Sequence, residues 1–250
     1  MMSPAGESAS KIASGAPPQW SSNFPDQAGA PKPSLSQKAY RRIYRRIMTL
    51  SYTPGQRLEE KQLVAELEIG RTPVREALMR LADDFMVEMH PHKGAVVRPV
   101  SLPNTRAVFS ALRILECGVA ELAVQAENRN YLAEMTAANR AIRSAMQANK
   151  LVEMVSANSR FHHFYARCSH NIYLVNALHK VRCETNRLAY LSYGTEIDPQ
   201  QTLQTHYRTV IEEHDRIIEA IETRDLDHLT ETINGHIHAF QQRIVQYMTT

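Results

Sequence analysis

The feature that most constrains this chain is a helical repeat of apolar residues that extends from residue 104 to residue 250. Apolar side chains recur three and four positions apart in six or seven segments, which is the spacing of amphipathic helices. Short polar breaks separate the segments near Asn128–Asn130, Asn149, His170–Asn171, Gly194–Gln200 and Thr223–Asp225. No alternating strand pattern interrupts them, so we expect residues 104–250 to fold as an all-helical bundle.

The preceding segment, residues 36–99, has a mixed pattern. Apolar residues recur at helical spacing in Leu35–Leu50 and in Glu59–Leu67, and a Thr-Pro-Gly turn at residues 53–55 separates the two runs. The first run also carries several arginines. The sequence therefore predicts two short helices here, the first with a strongly basic face.

A third short helix is predicted from Arg71 to about Asp84. Thr72 is the expected N-cap. Pro73 suits the first helical position, because a residue there needs no backbone N–H. The apolar residues that follow recur at helical spacing and give this helix one buried face.

Two extended runs, Met86–His90 and Ala95–Pro99, flank a turn at residues 91–94. Three helices followed by a hairpin are typical of a winged helix-turn-helix domain. A small helical domain with an incidental hairpin is the alternative. The expected fold class is therefore mainly α, with an N-terminal winged helix-turn-helix and a C-terminal helical bundle.

Charge is distributed unevenly between these two parts. Residues 36–100 contain 12 Lys and Arg against 8 Asp and Glu, whereas residues 101–250 contain 15 against 16. A net positive charge confined to the smaller part is expected if that part meets phosphate and the other does not.

The ends and the junction have their own compositions. Residues 1–35 are rich in Ser, Ala, Gly and Pro and are expected to form a disordered tail, and residues 100–103 are expected to form a linker. No apolar stretch approaches the roughly 18 residues that a membrane span needs, and no secretory signal is present, so a cytoplasmic protein is expected. Cys117, Cys168 and Cys183 are widely spaced and are expected to be reduced core residues.

With the helices placed, the sequence resembles the GntR family of transcription regulators, in its FadR-like branch with a helical FCD effector domain. The resemblance covers about residues 36–245. Its motifs are Pro54-Gly55-x-Arg57-Leu58-x-Glu60, Arg71-Thr72-Pro73-Val74-Arg75-Glu76-Ala77-Leu78 with Arg80-Leu81, and Lys93-Gly94 with Val96-Val97. Three positions depart from the pattern: Glu68 and Phe85 replace usual glycines, and Gly70 replaces a usual serine.

The third helix is expected to read DNA. Arg71 and Arg75 lie one turn apart at its start, and arginine can donate two hydrogen bonds to guanine O6 and N7 in the major groove. The resemblance implies a base or phosphate contact for Lys61 and a phosphate contact for Thr72. The wing tip, Lys93-Gly94, is expected to approach the minor groove. A homodimer on an inverted repeat of double-stranded DNA is expected.

The resemblance also implies a metal site in the bundle. In FCD domains an Asp and three His bind a divalent metal, and Asn158, His162, His214 and His236 occupy the matching positions. Three imidazoles and an oxygen suit zinc, nickel or a manganese-like ion. Asn158 departs from the family aspartate, and an amide oxygen is a weaker ligand than a carboxylate. The remaining histidines, including His163 and His238, are interpreted as surface or core residues.

Arg113 matches the Arg-x-x-Glu of the first effector helix. There it is a candidate to face the cavity and pair with a carboxylate effector, because the guanidinium fork suits that group. The rival interpretation is a structural pair between Arg113 and Glu116 on the helix surface.

The function implied is a bacterial DNA-binding regulator, a repressor by family expectation, that is controlled by a small organic acid bound at the metal. The effector would shift the packing of the bundle and reposition the DNA-binding domains. Two alternatives are a three-histidine metalloenzyme and a DNA-binding dimer without an effector. Against the enzyme, no spare carboxylate is paired with these histidines in the sequence.

Overall fold

The computed structural model describes residues 32–91, 94–193 and 203–249. Most of the predicted tail and the predicted break at residues 194–200 lie outside the described residues. The described residues are mainly helical, which confirms the predicted fold class of a winged helix-turn-helix followed by a helical bundle. Among them, no helix is long and apolar enough to cross a membrane.

The first part, which we call the N-terminal unit, comprises the described residues from 32 to 100. Its elements are α1 Leu35–Met48, β1 Arg57–Leu58, α2 Glu60–Leu67, α3 Arg71–Asp83, β2 Val87–His90 and β3 Gly94–Val97. A capping box starts α1: the Ser34 hydroxyl accepts from the Gln37 N–H, and the Ser34 N–H donates to the Gln37 side chain. The buried face of α1 packs against α3, with Tyr40 and Ile43 almost fully buried.

The predicted N-cap of α3 is wrong. The helix begins at Arg71, and its N-cap is Gly70, which has an extended backbone and no side chain to cap with. Thr72 is the second residue of the helix and Pro73 the third. Proline is tolerated there because N–H groups of the first turn have no partner within the helix.

The three strands form an antiparallel sheet in the order β1-β3-β2. Val87 pairs with Val97 and His90 with Gly94 in the predicted hairpin, and Leu58 pairs with Ala95 in a strand that was not predicted. Two residues are too few to show a strand period, so only the tertiary pairing reveals β1.

Two positions where glycine is usual keep the backbone that glycine favours. Glu68, the C-cap of α2, has φ 54°, and Phe85, before β2, has φ 59°. Both lie in the left-handed region, which is strained for residues with a Cβ. The two departures from the family pattern therefore place side chains at positions where the backbone favours glycine.

The second part, the helical bundle, contains six helices among its described residues. They are α4 Leu102–Ala123, α5 Arg129–Gln147, α6 Leu151–Arg167, α7 Ile172–Tyr193, α8 Leu203–Glu222 and α9 Leu226–Thr249. α4 begins inside the predicted linker and is capped by the Ser101 hydroxyl. α5 packs on α6 and α8, and α4 packs on α7 and α9, around a core that includes Phe109, Phe161 and Leu188.

Helix α7 also joins the two parts. Its Cys183 is buried together with the core residues of the N-terminal unit. Arg187 donates a hydrogen bond of 2.6 Å to the Arg98 carbonyl, and Lys180 pairs with Asp83 at 2.7 Å. The N-terminal unit is thus docked directly against one helix of the bundle.

Candidate functional site

Three buried histidines from three helices meet in the bundle. His162 lies on α6, His214 on α8 and His236 on α9, and one ring nitrogen from each lies within 4.8 Å of the other two. The ring centroids are 5.1 to 5.3 Å apart. We call these residues the three-histidine centre. His163 is only partly buried and His238 is exposed, and neither belongs to it.

Neighbouring oxygen atoms orient two of the three rings. His214 Nδ1 lies 3.2 Å from Asn139 Oδ1, and the Asn139 amide nitrogen donates to the Ile211 carbonyl and to Asp215. His236 Nδ1 lies 2.6 Å from Glu213 Oε2. In both cases Nδ1 is the donor, so Nε2 keeps the lone pair that a metal requires.

The third ring has a different partner. His162 Nδ1 lies 2.7 Å from Arg182 Nη2, and a guanidinium only donates, so here Nδ1 accepts and Nε2 carries the proton of the neutral ring. Arg182 also forms a buried ion pair with Glu116. A metal can therefore reach a lone pair of His162 only if the Arg182 contact rearranges or the ring loses that proton.

Burial keeps the His162 and His214 rings neutral. It lowers the pKa of His162 and of His214 well below the usual range, and the positive charge of Arg182 and the neighbouring imidazoles lower both further. Neutral imidazole is the form that binds metal ions. His162 and His214 are therefore both neutral at neutral pH, and a metal can use the free lone pair of His214 Nε2 directly.

The unpaired atoms of the site fit a cation. Nε2 of His162 and Nε2 of His214 are buried with no hydrogen-bond partner among the described residues, and the same holds for Asn158 Oδ1, one turn before His162. Buried polar atoms are usually satisfied, so orphans that gather at one place call for a ligand. Imidazole nitrogens with one amide oxygen form a donor set suited to zinc or nickel.

A small cavity of about 30 Å³ adjoins the centre. It is lined by Asn158, Arg182, Thr185, Asn186, Ala189, Tyr193, His206, Thr209, Val210, Glu213, His236, Ala239 and Phe240. That volume holds about two water molecules. An organic acid must therefore displace side chains or helices in order to enter.

The structure does not bring Arg113 to this cavity. Arg113 is exposed, whereas Leu112 and Glu116 on the same helix face the core. The predicted cavity contact is therefore wrong. The rival pair of Arg113 with Glu116 does not form either, because Glu116 turns inward to Arg182.

Sequence reasoning missed the residues that surround the histidines. Arg182, Asn139, Glu116 and Glu213 all contact a ring of the centre or a residue that does, and only Glu116 belongs to a recognised motif, where it was not assigned to the centre. The view that no carboxylate accompanies the histidines is wrong for the same reason. The adjacency of Glu213 to His214 was the one available signal.

The candidate DNA face, in contrast to the buried centre, consists of exposed side chains on α2 and α3. Lys61, Arg71, Thr72 and Arg75 are all exposed. The Arg71 side chain is 82% exposed and lies 3.2 Å from Glu60 Oε2. Two arginines one turn apart at the start of α3 leave both guanidinium groups accessible to a groove.

The wing and the basic helix α1 lie in the same N-terminal unit. Gly94 has φ 77°, and a Cβ there would lie 3.2 Å from the Leu58 carbonyl, so glycine is required where β3 begins. Lys93 lies outside the described residues. On α1, Arg42 donates to the Leu67 carbonyl and Arg46 pairs with Glu66, which assigns both arginines to holding α1 against α2.

Comparison with known proteins identifies two family models. The model for "Bacterial regulatory proteins, gntR family" matches residues 35–97, and the FCD domain model matches residues 107–239. The HTH-type transcriptional repressor RspR of Escherichia coli K12 is 23% identical over 218 residues, which is 86% of this chain and 91% of the relative. The gluconate operon transcriptional repressor of Bacillus licheniformis is 20% identical over 199 residues, 80% of each chain.

Solved structures show the same fold. E. coli McbR/YncC superimposes with a TM-score of 0.72 at 19% identity and covers 87% of this chain and 99% of its own. A transcriptional regulator from Rhodococcus sp. RHA1 gives 0.66 at 17% identity, with coverages of 84% and 97%.

Proposed function

Because this chain belongs to the GntR family of bacterial transcription regulators and carries an FCD domain, we propose that a small carboxylate effector, bound at the three-histidine centre, controls the affinity of the protein for operator DNA. Its relatives are transcription regulators, so the metalloenzyme alternative is set aside. We divide the chain into a tail of residues 1–35, a DNA-binding domain of 36–99, a short linker, and an effector and dimerisation domain that begins with α4.

The main support for effector binding is the set of buried ligand atoms that have no hydrogen-bond partner. Asn158 Oδ1 and the Nε2 atoms of His162 and His214 are buried without partners among the described residues, and one ring nitrogen of each of the three histidines lies within 4.8 Å of the other two. A divalent ion held by His162, His214, His236 and Asn158 would offer open coordination positions to a carboxylate. Arg182, which lines the same cavity, replaces Arg113 as our candidate to pair with the second carboxylate oxygen.

The DNA half rests on the exposed start of α3. Arg71 and Arg75 would donate to guanine in the major groove, while Lys61 and Thr72 contact the phosphate backbone. Lys93-Gly94 at the wing tip would enter the minor groove. A homodimer would present two such faces to an inverted repeat.

Helix α7 is our candidate to couple the two halves. Arg182 on α7 contacts His162, while Lys180 and Arg187 on the same helix contact the N-terminal unit. Because the cavity is small, an effector that enters must move Arg182 or its neighbours. Its differential affinity for the two arrangements then sets how far the population shifts from one arrangement to the other.

Metal analysis of purified variants tests the centre. His236→Ala should lose the bound divalent metal, as should His162→Ala and His214→Ala. His238→Ala removes an exposed histidine from the same helix and is the matched control. Circular dichroism should show that each variant stays helical. Metal content equal to that of the parent protein in folded His236→Ala would reject the site.

Asn158→Asp tests the amide ligand. A carboxylate at this position adds a negative charge to the donor set, so the variant should bind zinc or nickel more tightly in competition with a chelator. Asn171→Asp adds the same charge at the start of α7, away from the centre, and should leave the affinity unchanged. Unaltered affinity in Asn158→Asp would show that residue 158 is not a ligand.

Thermal unfolding with a panel of small organic acids tests the effector. An acid that binds the metal should raise the melting temperature, and a chelator should abolish the rise. The absence of an effect from every acid of the panel on metal-loaded protein would count against the effector and favour the alternative of a DNA-binding dimer without one.

A further inference from the structure

A second group of metal-ligand side chains lies where the N-terminal unit meets the bundle. Asp84 is the C-cap of α3, and His179 and Cys183 are on α7. One ligand atom from each lies within 4.8 Å of the other two. We propose that these three residues, the interdomain cluster, bind a zinc-like divalent metal ion that ties the DNA-reading helix to the bundle.

The spacing of the ligand atoms fits a tetrahedral ion. His179 Nε2 lies 3.5 Å from Asp84 Oδ1 and 3.7 Å from Cys183 Sγ. Zinc bonds of about 2.0 Å to nitrogen or oxygen and about 2.3 Å to sulfur give tetrahedral edges of about 3.3–3.6 Å. The two measured edges need to contract only slightly, and the third pair of ligand atoms also lies within 4.8 Å.

The residues are arranged like a built ligand set. His179 and Cys183 are four residues apart and therefore project from one face of α7. The Tyr40 hydroxyl donates a 2.6 Å hydrogen bond to Asp84 Oδ2, which fixes the carboxylate so that Oδ1 faces His179. Metal-ligating carboxylates usually have such an outer partner.

A water-accessible groove provides the fourth coordination position. Asp84 and His179 border an open groove of about 940 Å³ between the N-terminal unit and α7, whereas Cys183 lies behind them, 2% exposed. A water molecule or a further ligand can reach the ion from the groove, and the ion has a route of entry. The set of sulfur, nitrogen and oxygen is one that zinc accepts.

A negative charge already faces this point, because Asp84 Oδ1 lies 3.5 Å from His179 Nε2. A metal ion held there would bind the thiolate of Cys183 and the neutral ring of His179, so its binding releases protons to solvent.

Cobalt(II) titration of the full-length protein tests the proposal, because a thiolate ligand gives cobalt an intense near-ultraviolet charge-transfer absorption. The three-histidine centre has no sulfur ligand, so cobalt bound there does not produce this band. We expect the amplitude of the band at saturation to correspond to one thiolate-bound cobalt per chain, whatever cobalt the three-histidine centre takes up. It should remain in Cys117→Ser and Cys168→Ser, and should disappear in Cys183→Ser.

His179→Gln is the second variant, for use if Cys183→Ser does not fold. It keeps a side chain of similar size and should weaken the binding of cobalt at the thiolate site at least tenfold. The absence of a thiolate band in the parent protein would overturn the proposal. So would a band that survives in Cys183→Ser, or that is lost in Cys117→Ser instead.

Discussion

The start of α3 and the three-histidine centre differ in how they are assembled. Arg71 and Arg75 are exposed neighbours on one helix, whereas His162, His214 and His236 come from three helices and are buried. An exposed face can lose a side chain without loss of stability. A buried network contributes to both function and stability, so substitutions there should change both the free energy of unfolding and the binding of ligands. Four predictions test this contrast.

The largest effect is expected at the ion pair beneath the centre. Glu116→Ala leaves Arg182 as a buried, uncompensated charge, which should lower the free energy of unfolding by about 3–5 kcal/mol in urea denaturation. Glu127→Ala breaks the exposed pair with Arg224 and should change it by less than about 0.5 kcal/mol. Equal losses in the two variants would remove the contrast in stability.

On the exposed face the loss should appear in binding alone. Arg75→Ala should weaken specific binding by roughly 1–3 kcal/mol and relax preference at one base step. Gel-shift titrations on a selected operator and on a scrambled sequence measure this, alongside urea denaturation. Arg140→Ala removes the same charge from an exposed site on α5 and should change neither quantity. An equal loss on both DNAs would instead make Arg75 a phosphate contact.

The orienting residues of the centre should affect metal affinity. Glu213→Ala frees His236 to rotate and should weaken metal binding about 10- to 100-fold in chelator competition. Glu212→Ala removes the adjacent, exposed carboxylate and should leave metal affinity as it is. If both variants lose the same metal affinity, Glu213 acts through its negative charge and not by orienting the His236 ring.

The smallest effect is expected in the turn between α2 and α3. Glu68→Gly relieves a left-handed residue and should raise the free energy of unfolding by about 0.5–1 kcal/mol, with metal affinity unchanged. Glu68→Ala removes the same carboxylate but keeps the Cβ, so it should give no gain. A gain in both variants would point to charge and not to backbone strain.

The contrast also explains what the sequence could predict. The helices, their breaks and the winged helix-turn-helix follow from local periodicity, and the structure confirms that fold. Arg71 and Arg75 could be selected because their spacing on one helix is local information. The three histidines were found only through the family pattern, since no local rule brings α6, α8 and α9 together.

The rest depends on tertiary packing. Arg182 contacts His162 because α6 and α7 pack against each other there. Glu116 points inward because it forms an ion pair with the buried Arg182. The cap of α3 was placed two residues late because Thr72 and Gly70 both fit a cap, and proline is tolerated anywhere in the first turn. Such choices are decided by contacts between elements, which a linear pattern does not record.

Helix α7 carries Arg182 and Cys183 at consecutive positions, so a single rigid element borders both the proposed effector cavity and the N-terminal unit. Under the proposed function, linkage makes the coupling reciprocal: the factor by which the effector weakens operator binding is the factor by which operator DNA weakens effector binding. The effector concentration at which genes respond is then set by the effector affinity of the DNA-bound protein. A dissociation constant for the effector measured without DNA will underestimate that concentration by the same factor.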